Sequence, residues 1–301
     1  MQNIKFNHIS IDYPSCWNEL NKDQFFQIIA LFKLNFSDLE FRIRTIFILL
    51  NLVVAKSAHS YRSPDVLHLV KYKKENPFYL SNEQILAMAN TVNFLIHQYS
   101  DEKGNEFLSL NSNLTINLMP RFRHKFKMYY GPGNNLFNIC FDEYMEADTH
   151  FLNYIKSNNV LHLNKLIATL FRPARNNYNP HSAQSTGDIR QPFNSNVIDH
   201  HASVFSSLNM DVKIAISLFY NGCRQFISYN FKNVFNTSPG ESKGSSNQFG
   251  SMSLVDALTN DDVTKNDLVR KSLLYDVMVR LERAAILNKE AHENANKLKN
   301  K

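Results

Sequence analysis

Five residues able to move protons or hold a metal crowd one short stretch: Asp142, Glu143, Glu146, Asp148 and His150. On a helix, Glu146 and His150 stand four apart and Glu143 and Glu146 share a face. That spacing could support a carboxylate–imidazole metal pair or a paired acid and base. A carboxylate-bridged metal site needs a second helix offering Glu-x-x-His, and the neighbouring segment offers only His162. The simpler reading is an acidic face near a helix start, where carboxylates complement the helix dipole. Gly240-Glu-Ser242-Lys-Gly244 has the letters of a nucleophile elbow. An elbow needs a strand before the Ser and a helix after it, and this pattern lies in a Ser/Gly-rich stretch with neither. His200 and His201 are adjacent, so on a helix they point about 100° apart and do not chelate together. Arg172 and Arg175 follow an expected helix end, where cations complement the dipole without any ligand. HExxH, GxxxxGK followed by Ser or Thr, and GxGxxG are all missing from the sequence, which removes three common enzyme and nucleotide-binding readings.

A different chemistry is offered by RFRHKFKMYY, Arg121 to Tyr130, which interleaves cations with aromatics. As one strand it would put Arg121, Arg123, Lys125 and Lys127 on one face and Phe122, His124, Phe126 and Met128 on the other. The cation row could contact phosphates and the rings could stack bases. An amphipathic strand with Phe122 and Phe126 in the core explains the pattern equally simply. The net charge of +6 is spread over 301 residues and gives nucleic acid only slight support.

The elements that must position these groups are mainly helical. Only 8 residues are Gly, and three of them fall between positions 240 and 250. Glycine-built phosphate loops and turn-rich sheets need more. Asn21 with Gln24, Ser37 with Glu40 and Ser81 with Gln84 read as capping boxes. The first of the helices they start carries Phe25, Ile28, Ile29 and Phe32 on one face, and the other two are expected to run to about Val54 and to about Gln98. Residues 138–157 and 160–171 form a helical hairpin that stops before Pro173. Residues 173–200 read as a long polar loop, and Asn209 caps a helix to about Tyr229. Strand signals are limited to the first dozen residues, to 66–70, and to the alternation of Leu108 to Met119. The longest apolar run, Thr45 to Ala55, is too short to cross a bilayer.

The expected architecture is thus a multi-helix body over 1–235 with a minor β-hairpin. A flexible Ser/Gly linker follows over 236–252, then a C-terminal helical segment over 253–301 whose tail from Asn288 is expected to be solvated or disordered. The last helix is expected to start near Thr264. Its stripe of Leu273, Val277, Leu281, Ala284 and Leu287 must dock on the body or on a partner. Cys16, Cys140 and Cys223 are odd in number and widely spaced, so neither a disulfide framework nor a zinc knuckle is expected. The N-terminus lacks the apolar core of a secretory signal, so a soluble intracellular protein is expected.

Three segments carry a family resemblance. They are Pro14-Ser-Cys-Trp17-Asn-Glu-Leu20, the stretch from Tyr129-Tyr-Gly-Pro-Gly133 to Pro173, and Ala215 to Arg224. About half the chain resembles helical proteins from phage and prophage tail-gene neighbourhoods, closest to tail-assembly chaperones or small structural accessories. The resemblance implies a non-enzymatic assembly role in the host cytoplasm, extending to incorporation in the virion. Partners would be other phage structural proteins or a second copy of the chain, without cofactor, metal or membrane. The alternatives are a nucleic-acid-binding accessory using 121–130 and an enzyme of unrecognised type using the carboxylates at 142–148.

Overall fold

The structure, a computed structural model, describes residues 1–6, 9–59, 66–73, 75–100, 106–176, 178–179, 181, 187–235, 258–259 and 262–299. The linker of 236–252, the Gly-x-Ser-x-Gly pattern within it and residues 253–257 lie outside the described residues. The fold is mainly α, with small antiparallel strand pairs. The chain divides into two compact units, Met1–Leu114 with Met210–Phe219, and Thr115–Asn209 with Tyr220–Lys301.

The first unit opens with a hairpin of β1 (Gln2–Phe6) and β2 (Ile9–Tyr13). Asn21 and Gln24 form a complete capping box on α1 (Lys22–Phe32). Helix α2 (Asp38–Leu50) is capped by Ser37, whose side chain accepts from the Glu40 N–H. Glu40 itself turns outward to Arg44, 2.7 Å away. The helix stops at Leu50, four residues short of the expected end, because Asn51 takes a left-handed conformation. The β-branched pair Val53-Val54 then starts β3 (Leu52–His59), which pairs with β4 (Val66–Tyr72) and, through it, with β5 (Phe78–Ser81). The Ser81–Gln84 box starts α3 (Asn82–Ala89). This helix also ends early: residues 90–95 tighten into a 3₁₀ segment, and Ile96–Ser100 becomes β6, paired with β7 (Glu106–Leu110). The strand expected through Met119 therefore ends at Leu110. Trp17, Phe25, Ile28, Phe41, Ile46 and Leu49 are buried here, and the Trp17 indole N–H donates to the Phe94 carbonyl.

The second unit begins with β8 (Arg121–His124) and β9 (Lys127–Tyr130). Helices α4 (Phe141–Ser157) and α5 (Val160–Leu170) form the expected hairpin. Asn158 closes α4 in the left-handed region and Asn159 caps α5. Asn35, Asn51, Asn135 and Asn158 all have positive φ. In a glycine-poor chain, Asn fills the positions where a left-handed residue is needed, since its short amide tolerates that region best after Gly. Glycine is kept where nothing else fits: a Cβ at Gly131 would meet the Phe171 ring 2.4 Å away. The polar stretch 173–200 is not wholly loop; it leads into α6 (Ile198–Val204) and carries the fully buried Arg190. Helix α7 (Met210–Asn230) gives residues 210–219 to the first unit and the rest to the second. After α8 (Lys232–Phe235), the C-terminal segment forms α9 (Asn266–Lys271), a break at Ser272-Leu273, and α10 (Leu274–Lys299).

Here the stripe expected on the last helix is corrected. The buried face is Leu274, Val277, Met278 and Leu281, spaced three, one and three apart. Val277 and Leu281 are buried within the second unit, and Ala284 is half-buried. Leu273 and Leu287 are 49% and 59% exposed. Leu273 lies in the break, where its carbonyl accepts from the Val277 N–H while the neighbouring Leu274 N–H donates to the Ile139 carbonyl. The helix phase is thereby set by Leu274.

Candidate functional site

Helix α4 scatters the acidic cluster among separate partners. Asp142 faces Arg270 at 3.6 Å. Glu143 binds Arg172 and Arg190, and Asp148 binds Arg224 at 2.5 Å while accepting from the Tyr220 hydroxyl. Glu146 Oε1 lies 3.0 Å from His150 Nε2. The His150 and His162 rings lie 6.4 Å apart. Among the described residues no group of three His, Cys, Asp or Glu side chains could hold a metal. The His150 imidazole beside it holds Glu146 below the usual carboxylate range. Burial pushes Asp142 up, with Arg270 opposing. A general acid at Glu146 would need the opposite shift.

Glu143 sits at the centre of a buried four-charge cluster invisible to local sequence patterns. Its carboxylate receives Arg172 Nη1 at 2.9 Å and Arg190 Nη1 at 2.7 Å. Arg190 also forks onto Asp188, with Nε and Nη2 at 3.0 and 2.8 Å from its carboxylate oxygens. Its remaining donors reach the Leu170 and Asn138 carbonyls. Burial alone would pull Arg190 down, but the charges of Glu143 and Asp188 raise it. The cluster ties α4, the end of α5 and the 188–191 segment together. Two carboxylates balance two guanidiniums, so no charge is left over for catalysis.

Cys140 caps the same helix, its sulfur accepting from the Glu143 N–H at 3.4 Å. Burial, then the Glu143 charge, push its thiol up to about 11. A neutral thiol is a weak nucleophile. An adjoining cleft of about 680 Å³ is lined by Arg172, Arg175, Gln191, Phe193 and His201, among others.

The basic stretch is a hairpin, not one strand. The chain reverses at Lys125-Phe126, with Arg121 opposite Tyr130 and His124 opposite Lys127. Cross-strand partners share a face, so Lys127 lies on the side of His124 and Phe122. Arg121 and Arg123 occupy the other face, and the expected four-cation row is broken. Phe122 packs on Tyr129, Phe171 and Phe205. Phe126, expected in the core, stands 94% exposed at the tip.

In the first unit, α2, β3 and α3 enclose an open apolar groove of about 830 Å³, lined by Ile43, Phe47, Ile48, Val53, Val54 and Leu86 among others. Val53 is 64% exposed. The spacing of apolar residues extends the helix to about Val54 and so does not reveal the groove. The change from helical spacing to the β-branched pair Val53-Val54 is the signal that could have found it.

Among the described residues no helix is long and apolar enough to cross a membrane. No known protein family, characterised protein or solved structure matches the chain.

Proposed function

We propose that the chain is a non-enzymatic protein-interaction component. On the resemblance of its sequence to phage and prophage tail-region proteins, we place it in particle assembly in the host cytoplasm, with incorporation into the virion as an extension of that role. The observation that carries this reading is the open apolar groove of the first unit. A contiguous apolar surface on a folded chain is a normal mark of a protein-docking site. The acidic helix supports the same reading, because each of its carboxylates already has a cation or imidazole beside it.

The test is tagged purification from the native host, with stoichiometry by quantitative mass spectrometry, beside Val53→Asp and Leu86→Asp. The expected outcome is a stoichiometric structural protein, or a second copy of the chain by light scattering, that both variants lose while their helical signal persists. Capture that both variants leave unchanged, or nucleic acid without any structural protein, refutes the reading.

A further inference from the structure

The turn between β8 and β9 carries a large aromatic where both backbone and solvent oppose it. Lys125 and Phe126 have φ of 45° and 63°. A two-residue hairpin turn with both centres at positive φ is the type that selects Asn-Gly. For other residues the left-handed region costs on the order of 1–2 kcal/mol each. Phe126 gains nothing in return from burial, since it stands 94% exposed. Such strain is stored at functional sites.

Around the tip, Arg121, Arg123, Lys125 and Lys127 are exposed. Among the described residues none of the four forms an ion pair. The hairpin is held rigidly from beneath by Phe122 and Tyr129 on Phe171 and Phe205, and by His124 Nε2 against the Val204 carbonyl at 3.0 Å. Its second strand bridges to Arg172, which lines the adjoining cleft. Burial first, then His200, Lys127 and Arg172, hold His201 of that cleft below its ordinary value.

We propose that the β8–β9 tip binds a single strand of nucleic acid, with Phe126 stacking on an unpaired base and Arg121, Arg123, Lys125 and Lys127 holding the flanking phosphates. Arg121 and Arg123 stand about 7 Å apart along the strand, a step suited to the phosphates of an extended single strand. A duplex hides its base faces from such a ring. A lipid surface fits less well, because one aromatic beside a basic patch inserts little apolar area. This site lies in the second unit and is independent of the groove proposed for protein docking.

Fluorescence anisotropy of the full chain with labelled oligothymidylate and oligouridylate tests it. Affinity is expected to fall steeply with salt. Phe126→Ala should weaken binding about 5- to 150-fold, while Phe126→Tyr preserves it. Phe126→Gly should weaken binding equally yet raise the melting temperature, because glycine relieves the left-handed turn. That pairing separates lost stacking from lost folding. The proposal is overturned by absent binding at low salt, by equal affinity for duplex and single strand, or by Phe126→Gly binding as tightly as the unmodified chain. Phe126-dependent binding to phosphatidylserine vesicles with none to either oligonucleotide also overturns it.

Discussion

Glu143→Gln tests what holds the second unit together. The substitution keeps the shape of a side chain that is 2% exposed and removes one negative charge. In the intact cluster, Glu143 and Asp188 balance Arg172 and Arg190. With Gln, two guanidiniums face one carboxylate, and Arg190 has no exposed surface through which to shed the excess into water. Removing one partner of a buried ion pair costs about 3–5 kcal/mol. For a unit of this size each kcal/mol moves the melting temperature by about 2–4 °C, so the expected fall is about 6–20 °C. Circular dichroism melts, paired with urea titrations to check that the denaturant slope is unchanged, measure it. The double variant Glu143→Gln, Arg190→Met removes both members of the 2.7 Å pair, so its cost should fall short of the sum of the two single costs by at least about 1 kcal/mol. A melting temperature for Glu143→Gln within about 2 °C of the unmodified chain refutes the reasoning, because the cluster would then hold no net stability at its central carboxylate.

Three further outcomes follow from the same geometry. Leu274→Ala and Leu281→Ala each remove a buried anchor of the last helix and should cost about 2–5 kcal/mol, whereas Leu273→Ala and Leu287→Ala should lie within about 0.5 kcal/mol of the unmodified chain in urea denaturation; equal effects for the two pairs would show that the helix phase is wrong. Glu146 is held below its usual 4.5 by His150, so this contact adds stability above that pH and loses it as pH falls through the folded value. Glu146→Gln should therefore lower the melting temperature at neutral pH and converge with the unmodified chain in strong acid, and parallel pH profiles would remove the contact from the acid limb. Burial pushes Cys140 up to about 11 and Cys223 higher still, so iodoacetamide at mildly alkaline pH should label both slowly in the folded chain and rapidly in urea; fast labelling of folded Cys140 would contradict its place as a half-buried cap with a raised thiol.

What the sequence made legible was local. The boxes at Asn21–Gln24 and Ser81–Gln84 form as their spacing requires, since both partners lie within one turn. The α4–α5 hairpin likewise announces itself through apolar spacing and the Asn pair that breaks it. What escaped depends on partners far apart in the chain or on backbone choices that side-chain pattern does not encode. Arg190 lies 47 residues from Glu143, inside a polar stretch whose composition reads as loop. The last helix carries Leu at both 273 and 274, so a three-and-four spacing fits either phase, and only the burial of Leu274, whose N–H donates to the Ile139 carbonyl, decides between them.

The hairpin is the most instructive case. Strict alternation continues through Lys125 and Phe126, and neither residue carries turn chemistry, so periodicity extends one strand where the chain builds two. The local propensity and the adopted backbone disagree there, and in folded proteins such disagreement concentrates at functional or strained sites. An Asn-Gly turn would have been the more stable choice and would have been legible. That the sequence instead holds an exposed phenyl ring at a left-handed position, with four exposed cations around it, is why the tip, more than the acidic helix, is the place to look for a ligand.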